Sequence, residues 1–460
     1  MHVELIAPFR TLFNLNTDIA ETHLNAAVRV LDATATQYAA ETGERTFTPL
    51  QPTPSGFRKF TTLSADNRTT FSMPALCIAF DGTRLADLTQ RAIARASETL
   101  GEQFVLAPTI PLSLEVHIYD NTVGILRASV GITDPAGYLK VPRASLDQAL
   151  TEIASQVARE VNGTMVPRLL RILSSRQKDR RAWPHGEALI ELGREFLAYD
   201  DVAFGGYPNW PKERDPLLWT NRTLSVGADE RQLLPAILEW AHVAPDTARE
   251  LLAQEGFCTT QVGTSIFFNR SDVEDFLLAN EHQQYYFALF DILNDSLKRA
   301  YGRLSSDMDS RSFNAEIARS AHSSAFIDFV INEYRDSLLG LQAARRRFAH
   351  ELSRQFDMHE LIDNLTLRKQ GVRDKLEKLV LQRDRLRHRG MEAALIAIGG
   401  VTLVDLGLNL IVAAKTQGTA LADVIAGPLD LAAALSPDGM LWGLILFVLG
   451  FSGLYAYRRR

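Results

Sequence analysis

Three polar side chains stand at helical spacing in an otherwise apolar stretch near the end of this 460-residue sequence. Thr402, Asp405 and Asn409 fall at i, i+3 and i+7 within residues 393–414, so on a helix they share a face about 60° wide. A carboxylate so placed does one of two things. Repeated around a symmetry axis, it makes a ring that favours cations, and apolar side chains below the ring gate by dewetting. On that reading Thr402, Asp405 and Asn409 line a cation path, while Met391, Leu395 and Ile398 continue the stripe as its narrow apolar section. Packed against a neighbouring helix, the same Asp405 is a protonated or hydrogen-bonded contact with no part in transport.

Other chemistry is sparse. No glycine is followed by lysine, which excludes a phosphate-binding P-loop, and the HExxH, GxSxG, GxGxxG and EF-hand patterns are absent. Cys77 and Cys258 stand far apart with no zinc-like spacing, which suits a reducing compartment. His350 and His359 read as solvated, and Asp307 and Asp309 as a polar turn with a divalent cation between subunits as the alternative. The aromatic run at 204–211 reads as a surface loop, or as a surface for stacking on a ring. No catalytic constellation emerges. The chain is not expected to be an enzyme or to carry a cofactor, a divalent cation being the single candidate. A net charge of −6 argues against nucleic acid as a partner.

The elements that must position the polar stripe are two apolar segments, 393–414 and 440–457, each matching a hydrocarbon core of roughly 30 Å. Asp405 costs about 2.5–3.5 kcal/mol at a membrane centre, whereas the eleven Leu, Ile and Val residues of its segment return roughly 3–7 kcal/mol. The expectation is a two-helix transmembrane hairpin spanning 391–460. Arg383, Arg385, Arg387 and Arg389 precede it and Arg458, Arg459 and Arg460 close it, so both ends face the positive, cytoplasmic side. No basic and apolar leader opens the sequence, in keeping with cytosolic N-terminal domains.

Upstream, residues 1–175 read as an α+β domain with a small sheet, including a hairpin around Asp120-Asn121. The charged, Trp- and Pro-containing stretch 176–186 reads as a boundary. A second α+β domain covers 187–305, with a helix opened by the Ser271 to Glu274 capping box. Residues 306–390 read as a basic, coiled-coil-like stalk helix. Its seam is Ile327, Ile331, Tyr334, Leu338, Leu341, Phe348 and Leu352, interrupted near 355–359 and resumed at Ile362, Leu365, Val372, Leu376, Leu379 and Leu386. A rod cannot bury its own stripe, so a homo-oligomer is expected.

This order of parts resembles the CorA family of divalent-cation channels, over roughly residues 187–460. The resemblance rests on the architecture, on the polar first segment and on the basic Tyr457-Arg458-Arg459-Arg460 end. The family's Gly-Met-Asn triplet is absent: Gly390-Met391 precedes Glu392, and Gly439-Met440 precedes Leu441. The resemblance implies an oligomeric cation channel or transporter in the inner membrane of a bacterium, gated by cytosolic domains. The second reading is a membrane-anchored sensor or effector, in bacterial stress or defence, that binds a small molecule, ion or protein and transports nothing. Membrane lipid and further copies of the chain are the partners both readings share.

Overall fold

The computed structural model describes residues 1–16, 20, 22–50, 73–100, 109–185, 187–190, 215–253, 256–259, 263–268, 273–304, 310–341, 343–417, and 442, 443, 446 and 450. It divides into two compact units, 1–372 and 373–460.

The first unit is a mixed α/β fold built on one eight-stranded sheet. In chain order the strands are β1 (His2–Asn14), β2 (Arg45–Phe47), β3 (Leu76–Phe80), β4 (Thr109–Ile118), β5 (Asn121–Ile132), β6 (Asn221–Val226), β7 (Gly256–Thr259) and β8 (Thr264–Phe268). Their spatial order is β2-β3-β4-β5-β1-β6-β8-β7, antiparallel except for the parallel pair β6–β8. β1 is long and nearly all buried, so its backbone groups need partners on both edges. It finds β5 on one side and β6 on the other, with His2 opposite both Gly131 and Ser225. The segments 1–175 and 187–305 therefore share a single sheet across 176–186.

The hairpin at Asp120-Asn121 forms. Tyr119 N–H bonds the Val123 carbonyl at 2.9 Å, leaving a three-residue loop, and Thr122 takes φ 63° at its last position. That position ordinarily holds glycine or asparagine. Beside it Gly124 is a steric requirement, because a Cβ there would come within 2.4 Å of the Phe9 ring across the ladder.

Side chains alternate across β1 and divide the helices into two layers. On one face lie α1 (Leu24–Thr42), α2 (Gly82–Leu100), α3 (Pro135–Lys140), α4 (Arg143–Glu160), α5 (Val166–Lys178) and α6 (Leu234–Trp240), with α7 (Pro245–Ala253) against α6. Here Met1, Val3, Leu224, Val226, Ile266 and Phe268 of the sheet meet Tyr138, Leu146, Leu234, Ile237 and Leu238 in a continuous apolar core. On the other face lies α8 (Val273–Arg303), against β1 and β5. Outside it follow α9 (Ser310–Gly340), α10 (Ala343–Gln355) and, as far as Val372, the start of α11 (Met358–Gln417).

Two parts of the expected architecture are corrected. The stalk is not one rod over 306–390 but three helices, with α10 ending at Gln355 and Asp357 at φ 50° ahead of α11. Its seam turns inward. Ile327, Ile331, Tyr334, Leu338, Leu341, Phe348, Leu352, Ile362, Leu365 and Val372 are all buried within the 1–372 unit, so the stripe is covered by the chain itself as far as Val372, while Leu376 and Leu379 beyond it are half-buried.

The membrane hairpin is the other correction. Among the described residues, no helix is long and apolar enough to cross a membrane. Residues 393–414 continue α11, whose described apolar positions Leu395, Ile398, Leu406 and Val412 are interleaved with Thr402, Asp405 and Asn409. Of the second expected span, 440–457, the described residues are Trp442, Gly443, Leu446 and Gly450.

Candidate functional site: a buried polar seam

Seven successive residues of α8, Asn280-Glu281-His282-Gln283-Gln284-Tyr285-Tyr286, are buried. A helix buried on every side is ordinarily apolar on every side. This run carries a polar atom on each side chain, so each needs a partner to offset its lost hydration.

Towards the sheet the partners are specific. Glu281 Oε1 lies 2.6 Å from His117 Nδ1 on β4 and accepts from the Tyr119 hydroxyl at 2.9 Å. The other nitrogen of the same ring, His117 Nε2, lies 3.2 Å from Glu115 Oε2. A neutral imidazole has one N–H, so donating to both carboxylates requires the imidazolium. The hydrogen bond to His117 is the main reason the Glu115 carboxyl sits below its ordinary range. On β5, Arg127 holds Glu274 through both carboxylate oxygens at 2.8 and 2.9 Å and stands 3.9 Å from Glu281 Oε2. Glu4 of β1 accepts from Ser129 Oγ at 2.7 Å, and burial pushes its carboxyl up.

Further along, Asn280 Nδ2 donates to Asn221 Oδ1 (2.8 Å), Trp219 Nε1 to Gln284 Oε1 (2.6 Å) and Asn121 Nδ2 to the Tyr285 hydroxyl (2.6 Å). The Tyr119 and Tyr285 rings stack at 4.1 Å. At the hairpin tip, burial pushes Asp120 up to about 6. Asp120 Oδ1, Asn121 Oδ1 and Thr122 Oγ1 are shielded from solvent without a hydrogen-bond partner.

The outer side of the same run is tied to the next layer. His282 Nε2 donates to Ser337 Oγ at 2.8 Å, since Ser337 already donates to the Tyr334 carbonyl. The Tyr334 hydroxyl donates to Gln283 Oε1 at 3.0 Å and accepts from Ser353 Oγ at 2.9 Å. Arg345 reaches Asp275 at 2.6 Å, and Arg368, in the first turns of α11, reaches Asn294 at 2.7 Å. A chain of polar contacts thus runs from β4 through α8 to α9, α10 and the start of α11. Glu281 and Tyr119 are fully buried, while Glu115 and Glu274 at the edge of the cluster reach solvent.

The residues expected to line a path are elsewhere. Met391, Leu395, Ile398, Thr402, Asp405 and Asn409 all lie on α11 and all are exposed in the single chain, at steps of four, three, four, three and four. The Thr402 hydroxyl donates back to the Ile398 carbonyl at 2.8 Å. His350 and His359 are exposed, while Asp307, Asp309 and the 204–211 loop lie outside the described residues. Sequence reasoning did not single out the seam. Its signal was present as an unbroken polar run inside a helix flanked by Phe276-Leu277-Leu278-Ala279 and Ala288-Leu289-Phe290. Comparison of the chain with protein-family models, curated proteins and solved structures finds no match.

Proposed function

We propose that this protein is a sensor or effector that registers a ligand, ion or partner in its 1–372 unit and signals by loosening α8 from the sheet. The observation that carries this reading is the buried polar run 280–286, bonded on one side to the sheet and on the other to α9 and α10. An interface of hydrogen bonds separates more readily than an apolar one of equal area, because each group released into water finds a replacement partner. Protonation-dependent contacts at His117 add a means of biasing the two positions. The exposed face of α11, with its heptad spacing and polar Thr402, Asp405 and Asn409, is where further copies of the chain would assemble, the polar positions fixing register.

Hydrogen exchange on the full chain across pH, corrected for intrinsic chemical exchange, tests the sensor reading. Contacts between imidazolium and carboxylate hold while the ring is protonated and the acids ionised, and are lost as the ring gives up its second proton. The α8 amides should then exchange faster relative to those of α4 as pH rises, and His117→Gln should remove that dependence. Equal protection of both helices at every pH would overturn the proposal.

A further inference from the structure

On the apolar side of the sheet, a groove of about 660 Å³ opens where α3 passes into α4, against the end of α6. Lys140, Pro142, Arg143, Glu239, Trp240 and His242 line it. Its walls are braced. Trp240 Nε1 donates to the Val141 carbonyl at 3.0 Å, and Arg143 Nη1 donates to the Ala241 carbonyl at 2.7 Å. Behind them lies the core of Tyr138, Leu146, Ile237 and Leu238. The groove is therefore fixed by packing on both sides and not by a loose loop.

Its electrostatics favour an anion. Lys140 and His242 are exposed cationic or titratable groups at its rim, and Arg143 adds a third, shared with Asp147 at 3.9 Å. Glu239 is the opposing charge among the lining residues. α4 starts at this point with proline at its N-cap, no capping side chain and no acidic residue in its first turn. The Ser145 and Leu146 amides bond the Pro142 carbonyl, and helix geometry leaves those of Arg143 and Ala144 without an intrahelical acceptor. Beside this positive end stands the half-buried Trp240 indole, with the Tyr138 ring tilted against it at 5.7 Å. Trp240 lines the groove, and an indole face accepts a planar ring by stacking. The volume suits a small ligand.

We propose that this groove binds a nucleoside monophosphate, its base against Trp240 and its phosphate against Lys140, Arg143 and the start of α4. The assignment goes beyond the sensor reading and does not depend on it, since a bound ligand need not move α8. Calorimetric titration of the full chain with AMP, GMP, CMP and UMP, beside adenosine and inorganic phosphate alone, tests it. At least one nucleotide should bind one to one and more tightly than either fragment. Lys140→Glu, a change at an exposed side chain, should weaken it tenfold or more, and Trp240→Leu should weaken it similarly if that variant keeps its fold. The proposal fails if none of the four binds, if inorganic phosphate binds as tightly as the nucleotide, or if Lys140→Glu leaves the affinity unchanged.

Discussion

Along β1, Val3, Leu5, Ala7 and Phe9 are directed to one face of the sheet, and Glu4 and Arg10 to the other. The first face meets the hydrocarbon of α3, α4 and α6; the second meets α8 through Glu281, Asn280, Gln284 and Asp295. Both interfaces are buried, yet they are held differently. Apolar burial contributes roughly in proportion to area and tolerates small shifts. A buried polar network contributes little net free energy when complete and costs heavily when one member is lost. An ion pair on the apolar face, Arg222–Asp147, follows the same rule on a smaller scale, with burial as the main reason the Asp147 carboxyl is raised. Where a fold must both hold together and move, the polar layer is the place for movement.

The sharpest way to break this contrast is at Glu281. Glu281→Leu removes the buried acceptor shared by His117 Nδ1 and the Tyr119 hydroxyl, and should cost about 3–5 kcal/mol in chemical denaturation. Adding His117→Leu should restore much of that, because an apolar pair needs no partner. A single variant as stable as the parent would mean that the seam is already hydrated. On the apolar face, Gly124→Ala forces a methyl group into the Phe9 ring and should cost about 1–3 kcal/mol at all pH values. A neutral result would show that this face yields as readily as the other.

The smallest expected effect separates the faces by pH. Asp120 is raised from its ordinary 3.8 to about 6, so as pH climbs between those values the unfolded chain ionises first and stability falls. Asp120→Asn should flatten that part of the stability profile, a gain on the order of 1–2 kcal/mol above pH 6. An unchanged profile would place the Asp120 carboxylate in contact with water.

Much of the local structure was legible. The alternation around Asp120-Asn121 announced the hairpin, and the broken periodicity near 355–359 coincides with the end of α10 and the start of α11. The candidate site was not legible, for a definite reason. Polar residues on a helix ordinarily mark its solvent face, and nothing local to Glu281 reveals that His117, 164 residues earlier, will cover it. The same reasoning explains the stalk. A heptad stripe at Ile327 to Val372 specifies that a partner exists, but it does not say whether the partner is another copy or the chain's own α8.

By itself, then, the sequence determined the elements: where strands alternate, where helices begin and break, and which side chains want cover. Composition and periodicity are short-range properties, and those features depend on short-range contacts. The tertiary structure decided the pairings. It joined β1 to β6 across 176–186, turned the stalk's seam inward, and sealed a polar helix against a polar sheet face. Such choices rest on contacts between residues far apart in the chain, whose free energy is settled only when competing partners meet in space.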